Sequence, residues 1–155
     1  MQALLLELFR YNEAANAQLF SALVDFHGPS FQLQKLSSHI LNAQALWLDR
    51  ITGDRPRCTP WALRSLGSLA TDNEQLHRET HALIDRHEED FLNKMVAYTT
   101  SEGEPCESHV RDILLHVQHH ATYHRAQVAQ LLKQFGGTPP ATDYILYKRA
   151  GFNHH

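Results

Sequence analysis

Residues 109–135, HVRDILLHVQHHATYHRAQVAQLLKQF, decide the fold. Ile113, Val117, Val128, Leu131 and Phe135 recur at helical spacing and make one apolar stripe. Ser108 is the candidate N-cap. Gly136-Gly137 stops the helix, and Pro139-Pro140 prevents its resumption. An amphipathic helix this long needs partners to bury its stripe, so the rest of the chain has to supply them.

The histidines on this helix are not scattered at random around it. Each residue advances about 100°. With His120 set at zero, Ile113 and Leu131 lie at about 20°, Val117 and Phe135 at about 60°, and Val110 and Val128 at about 80°. The stripe is then centred at about 50°. His124, at about 40°, falls almost on that centre, and His120 falls inside the stripe. His116 sits on its margin and His119 faces solvent. Side chains four residues apart share a face, so two imidazoles can reach one metal ion from His120 and His124. Coordination also satisfies a buried polar ring that would otherwise cost free energy.

The remaining segments read as the partners. Residues 2 to about 25 place Leu5, Leu8, Ala15, Leu19, Ala22 and Phe26 on one face, and His27-Gly28-Pro29-Ser30 turns the chain. A second helix runs from Phe31 to Thr52 with Leu36, Ile40, Ala43, Leu46 and Trp47 as its stripe. GDRPRCTP (53–60) is a loop, with Trp61 plugging it onto the bundle. A third helix spans Ser68 to Asp90, its core face marked by Leu69, Leu76, Leu83 and Ile84. Thr71 and Glu74 form a candidate capping box that would move its start slightly later. KMVAYTTSEGEPCES (94–108) reads as a short hairpin or extended crossover. The tail from Thr142 to Phe152, with Tyr144, Ile145, Leu146 and Tyr147, packs back on the helices. The fold class is all-α, a four-helix bundle with a short hairpin before the last long helix, and residues 1–153 form a single domain.

His39 lies at the edge of the second helix's buried face, with small Ala43 one turn along. Bundles build metal sites from side chains on facing helices. His39, His120 and His124 together offer three neutral nitrogens and leave a fourth position open, the arrangement of a catalytic site. His77 and His81 are also four apart, but they flank their stripe and read as mostly solvated. His87 reads as a satisfied structural histidine, and His109 and His116 as groups at the edge of the core. Asn12, Asn16, Gln127 and Asp112 are candidates to hold the far ring nitrogens. Arg125 reads as a structural ion pair in preference to an anion-orienting group.

Composition narrows the function classes. The 155 residues carry a net charge of -3 and a pI near 6.4, with 43% hydrophobic and 20% charged residues. That is a globular composition without the basic excess of a nucleic-acid-binding surface. No run approaches the ~20 apolar residues of a membrane span, and the first residues lack the features of a signal peptide. Two distant cysteines, Cys58 and Cys106, point to a reducing compartment, so a cytoplasmic setting is expected. Twelve histidines are several times ordinary usage. His154 and His155 read as the remains of an affinity tag and are set aside.

LLHVQHHATYHRAQVAQLLKQFGGTPPATDYILY (114–147) resembles the C-terminal signature of the DinB/YfiT-like family. SSHILNAQALWLDRITG (37–53) resembles its second helix, YNEAAN (11–16) its first-helix motif and VAYTTSEGEP (96–105) its hairpin. Two positions depart from the pattern: Ala14 stands where the family often has Trp, and Ala126 where it usually has Gly. The resemblance implies a four-helix bundle with a divalent metal on a histidine triad, which maps onto His39, His120 and His124, and it implies a homodimer. Similar proteins include thiol transferases and a thiol-dependent isomerase. It therefore implies a metal-dependent enzyme acting on a small-molecule substrate, a thiol S-transferase or a hydrolase, with a low-molecular-weight thiol as a further cofactor. Zinc and nickel suit three imidazoles best, and iron or copper also fit. A non-enzymatic metal-binding stress-response or ligand-binding protein is the alternative.

Overall fold

Four long helices carry the architecture of the computed structural model, which describes residues 1–86, 89–100 and 102–150. They are α1 (Gln2–Val24), α2 (Phe31–Thr52), α3 (Leu69–Asp85) and α5 (Val110–Gln134). Between α3 and α5 come a single turn, α4 (Glu89–Leu92), and an antiparallel hairpin of β1 (Met95–Thr99) and β2 (Pro105–His109). A short α6 (Tyr144–Ala150) follows the last long helix. This is an all-α bundle with the expected hairpin in the expected place.

The punctuation works as its chemistry requires. Gly53, at φ +81°, ends α2 in the left-handed conformation that a Cβ disfavours. Gly136, at φ +88°, does the same after α5. Gly137 then donates to the Leu132 carbonyl, 2.8 Å away, and a Cβ on Gly137 would collide with the Leu132 side chain.

Three local expectations change. Ser108 does not cap α5; its hydroxyl lies 3.1 Å from the Tyr98 hydroxyl, and His109 is the N-cap residue. Strand β2 runs straight into α5, so Ser108 is held opposite Val96 in the ladder. The third helix starts at Leu69, preceded by a 3₁₀ turn, Leu66–Ser68, that the Ser65 hydroxyl caps. Thr71 and Glu74 therefore lie inside the first turns of α3, both exposed. That helix also ends at Asp85 rather than Asp90. His87 lies outside the described residues, as do His154 and His155.

The apolar core comes in two parts. One gathers Leu19, Phe20 and Leu23 of α1 with Ile40, Leu41, Leu69, Val128 and Leu132. The other gathers Leu5 and Phe9 with Ile84, Val96, Val110, Ile113, Leu114 and Val117. A buried polar chain crosses the bundle at the level of Asn12 and Asn16. Gln44 donates to the Thr80 hydroxyl at 2.9 Å, and Asn12 donates to Gln44 at 3.5 Å. The Arg125 guanidinium donates to both Asn12 and Asn16, and Asn16 donates to Asn73 at 3.0 Å. All four long helices contribute, so a slip of any one breaks a buried hydrogen bond and leaves a polar group unpaired.

The tail packs back on α1 as expected. Tyr11 donates to the Thr142 carbonyl at 2.6 Å and stacks edge-on with Tyr144. Glu7 accepts from Tyr144 and Lys148, each at 2.6 Å. Among the described residues, no helix is long and apolar enough to cross a membrane.

Candidate metal centre

His39 comes from the middle of α2, and His120 and His124 come from successive turns of α5. The pair of helices faces across a narrow gap, and the three rings converge in it. One ring nitrogen from each lies within 4.8 Å of the others. The His39 and His120 Nε2 atoms are 3.1 Å apart. Ring centroids are separated by 4.7 Å for His39 and His124 and by 4.4 Å for His120 and His124. Among the described residues, no other group of three potential ligands gathers in this way.

The far nitrogens explain the orientation. His39 Nδ1–H donates to the Pro60 carbonyl at 2.8 Å, and His124 Nδ1–H donates to Gln127 Oε1 at 2.7 Å. Each bond sets the tautomer and leaves the Nε2 lone pair pointing inward. Burial, then the neighbouring His124, His39 and His116 rings, push the His120 imidazole down to about 4. Burial also lowers His39, against the opposing pull of the Pro60 carbonyl. These two rings are therefore neutral near pH 7, the form that ligates a metal. With their Nδ1–H groups engaged, His39 and His124 each present an Nε2 lone pair, and together with His120 they form a converging set of three imidazole nitrogens that fits a divalent ion.

Of the nominated acceptors, only Gln127 serves. Asn12 and Asn16 are committed to Arg125, and Asp112 is exposed beside Arg111. The Pro60 carbonyl was missed because backbone acceptors leave no trace in residue identity. The loop that presents it is tied down by α2. Asn42 donates to the carbonyls of Pro60 and Ala62, and Arg64 Nε donates back to Asn42 at 2.7 Å. Trp61, expected to plug this loop onto the bundle, does so by lying flat on the His39 ring of α2. The ring centroids are 3.8 Å apart, the planes 7° from parallel, and Trp61 keeps 49% of its surface exposed. Tyr123 stands edge-on to His124 on the other side.

The buried face of α5 is rotated from the one the apolar stripe defines. Its buried residues include Leu114, Gln118, Ala121, Arg125 and Leu132, which moves the centre to about 100° on the scale that puts His120 at zero. His124 is thus at the edge of the buried face, not its centre, and both α5 histidines are half-buried. Buried Gln118 and Arg125 carry no hydrophobic signal, so a stripe drawn from apolar residues leans away from them. His119 is exposed, as expected, and His116 is exposed beside Trp47. His77 and His81 are more buried than expected: both are half-buried, with rings 4.4 Å apart and His81 Nε2 3.2 Å from the Leu6 carbonyl. Arg125 forms no structural ion pair among the described residues; its partners are neutral oxygens.

Comparison with known proteins covers nearly the whole chain. The family model described as "DinB family" matches residues 1–153. The chain is 26% identical to "Protein DinB" of Bacillus subtilis (strain 168), in an alignment spanning 91% of each sequence.

Proposed function

Because this chain belongs to the DinB family, we propose that it is a metal-dependent enzyme holding one divalent ion on His39, His120 and His124, with thiol S-transfer or hydrolysis as its chemistry. The observation that carries the reading is the inward set of His39 and His124 Nε2 atoms, enforced by the Pro60 and Gln127 acceptors. A divalent ion in an open three-imidazole site supplies Lewis-acid chemistry, lowering the pKa of a thiol or water brought to it.

The chain's own residues do the positioning. Pro60 and Gln127 hold two rings in one tautomer. Trp61 covers the outer face of His39 and screens it from water. Trp61 and Tyr123 form aromatic walls that suit an apolar portion of a small-molecule substrate. Zinc and nickel are the ions of choice for three imidazoles, with iron and copper next. Free Cys58 and Cys106 fit a cytoplasmic setting.

The test has two arms. Metal content is measured by elemental analysis after reconstitution and dialysis, with His120→Ala as control. Metal-loaded protein is then assayed with low-molecular-weight thiols and electrophiles, and with a panel of hydrolysable esters and amides. About one ion per chain in the parent protein and none in the variant is expected. Metal-dependent turnover in either panel supports the enzyme. Bound metal that raises the melting temperature without any turnover supports the non-enzymatic binding role instead. Absence of metal from both proteins sinks the metal reading altogether.

A further inference from the structure

On the side of α5 away from His120 and His124, a groove of about 650 Å³ runs between α1 and α5. Thr142, Asp143 and Tyr144 of the returning tail close one side. Its walls include Leu8, Leu115, Ala126 and Ala129, and it is lined also by Gln118 and Arg125. On the helical wheel, these last two lie about 130° from the midpoint of His120 and His124.

Arg125 is the unusual residue. Its surface is only 2% exposed, yet its charge meets no carboxylate among the described residues. Its terminal nitrogens donate to Asn12, Asn16 and Thr122, all neutral, and its Nε has no partner. Buried cations are costly unless a counter-charge compensates them. Gln118 makes an independent second observation: it is 6% exposed, and its Nε2 also lacks a partner. Two unpartnered buried donors, one of them cationic, thus belong to residues lining one apolar groove.

We propose that this groove binds a small monocarboxylate with an aliphatic or aromatic body, its carboxylate answering the Arg125 guanidinium and the Gln118 amide. A carboxylate supplies the missing charge and acceptors together. The apolar walls suit the body, with few polar groups left to set its orientation. Asp143, exposed on the lining, opposes a second negative charge and favours a ligand with one. The carboxylate-binding residues lie on the face of α5 away from the metal ligands, and Tyr123, which also lines the groove, is the residue that borders both sites.

The experiment titrates octanoate and benzoate into the full chain by calorimetry, both metal-loaded and metal-free, with octanol and inorganic phosphate as comparison probes. Saturable binding of either carboxylate near one per chain is expected in both states, with octanol weaker by about tenfold or more. Arg125→Met removes the cation. Because that variant also cuts the buried network and can fail to fold, Ala129→Phe fills the groove and Gln118→Leu removes one donor; each should weaken octanoate by about tenfold while circular dichroism stays unchanged. Octanol binding as tightly as octanoate, or octanoate affinity surviving Ala129→Phe, would overturn the proposal. So would absence of saturable binding. Sedimentation distinguishes the remaining occupant: if Ala129→Phe turns a dimer into a monomer and no carboxylate binds, a second copy covers the groove and the ligand site is refuted.

Discussion

His39 uses its two ring nitrogens differently, and the division explains why so polar a side chain is tolerated at 8% exposure. Nδ1–H is satisfied by the Pro60 carbonyl, while Nε2 faces His120. Gln127 plays the same part for His124. Gln127→Leu should therefore weaken metal affinity by about 10–100-fold while leaving all three ligands in place, read by competition with a chromophoric chelator. Protonation supplies a second prediction. The folded His120 titrates at about 4, against ~6.5 for an unfolded histidine. Between those values the unfolded chain takes up a proton that the folded one refuses. Metal-free protein should then lose stability as pH falls from about 6.5 toward 4 and show no contribution from this residue above that window. Burial lowers His39 in the same direction. Urea denaturation at pH 7.5 and pH 5 measures the difference, and His120→Gln should reduce it; an unchanged slope in that variant counts against the assignment.

At the scale of elements, α2 does more than contribute one ligand. It organises the loop that follows it. Asn42 holds the Pro60 and Ala62 carbonyls and receives Arg64, while buried Asp49 receives the Arg57 backbone and side chain. The loop is thereby fixed over His39 with Trp61 on the ring. Asn42→Ala removes the shared anchor. It should cost about 1–3 kcal/mol of stability, and limited proteolysis should cut residues 54–65 faster. In a Trp47→Phe background, the Trp61 fluorescence should also shift as the indole leaves the imidazole. Unchanged proteolysis and emission would mean that the loop holds itself.

For the whole molecule, the two parts of the apolar core drive collapse, and the polar chain between them fixes register. The candidate metal centre joins α2 to α5, so an ion held there only by the folded state would stabilise the entire bundle. Free metal at 100 times its dissociation constant should add about 2.7 kcal/mol. For a chain of this size that is a rise in melting temperature of roughly 5–11 °C, reversed by chelation. Scanning calorimetry with and without EDTA reads it, and His120→Ala should abolish the shift. A shift that persists in the variant would place the stabilising ion elsewhere.

Much of the fold was legible because helical periodicity, glycine stops and the proline pair after α5 are local signals. They set α2 at Phe31–Thr52 and the hairpin between the third and last long helices without any knowledge of tertiary contacts. The HxxxH spacing of His120 and His124 was local too. What the sequence could not determine was everything mediated by backbone atoms or by buried polar side chains. The Pro60 carbonyl behind His39, the neutral partners of Arg125 and the rotation of the α5 buried face toward Gln118 all depend on which helices meet and at what angle. Residue identity signals what a side chain prefers on average. Only the packed tertiary structure decides which unfavourable burials are compensated, and by what.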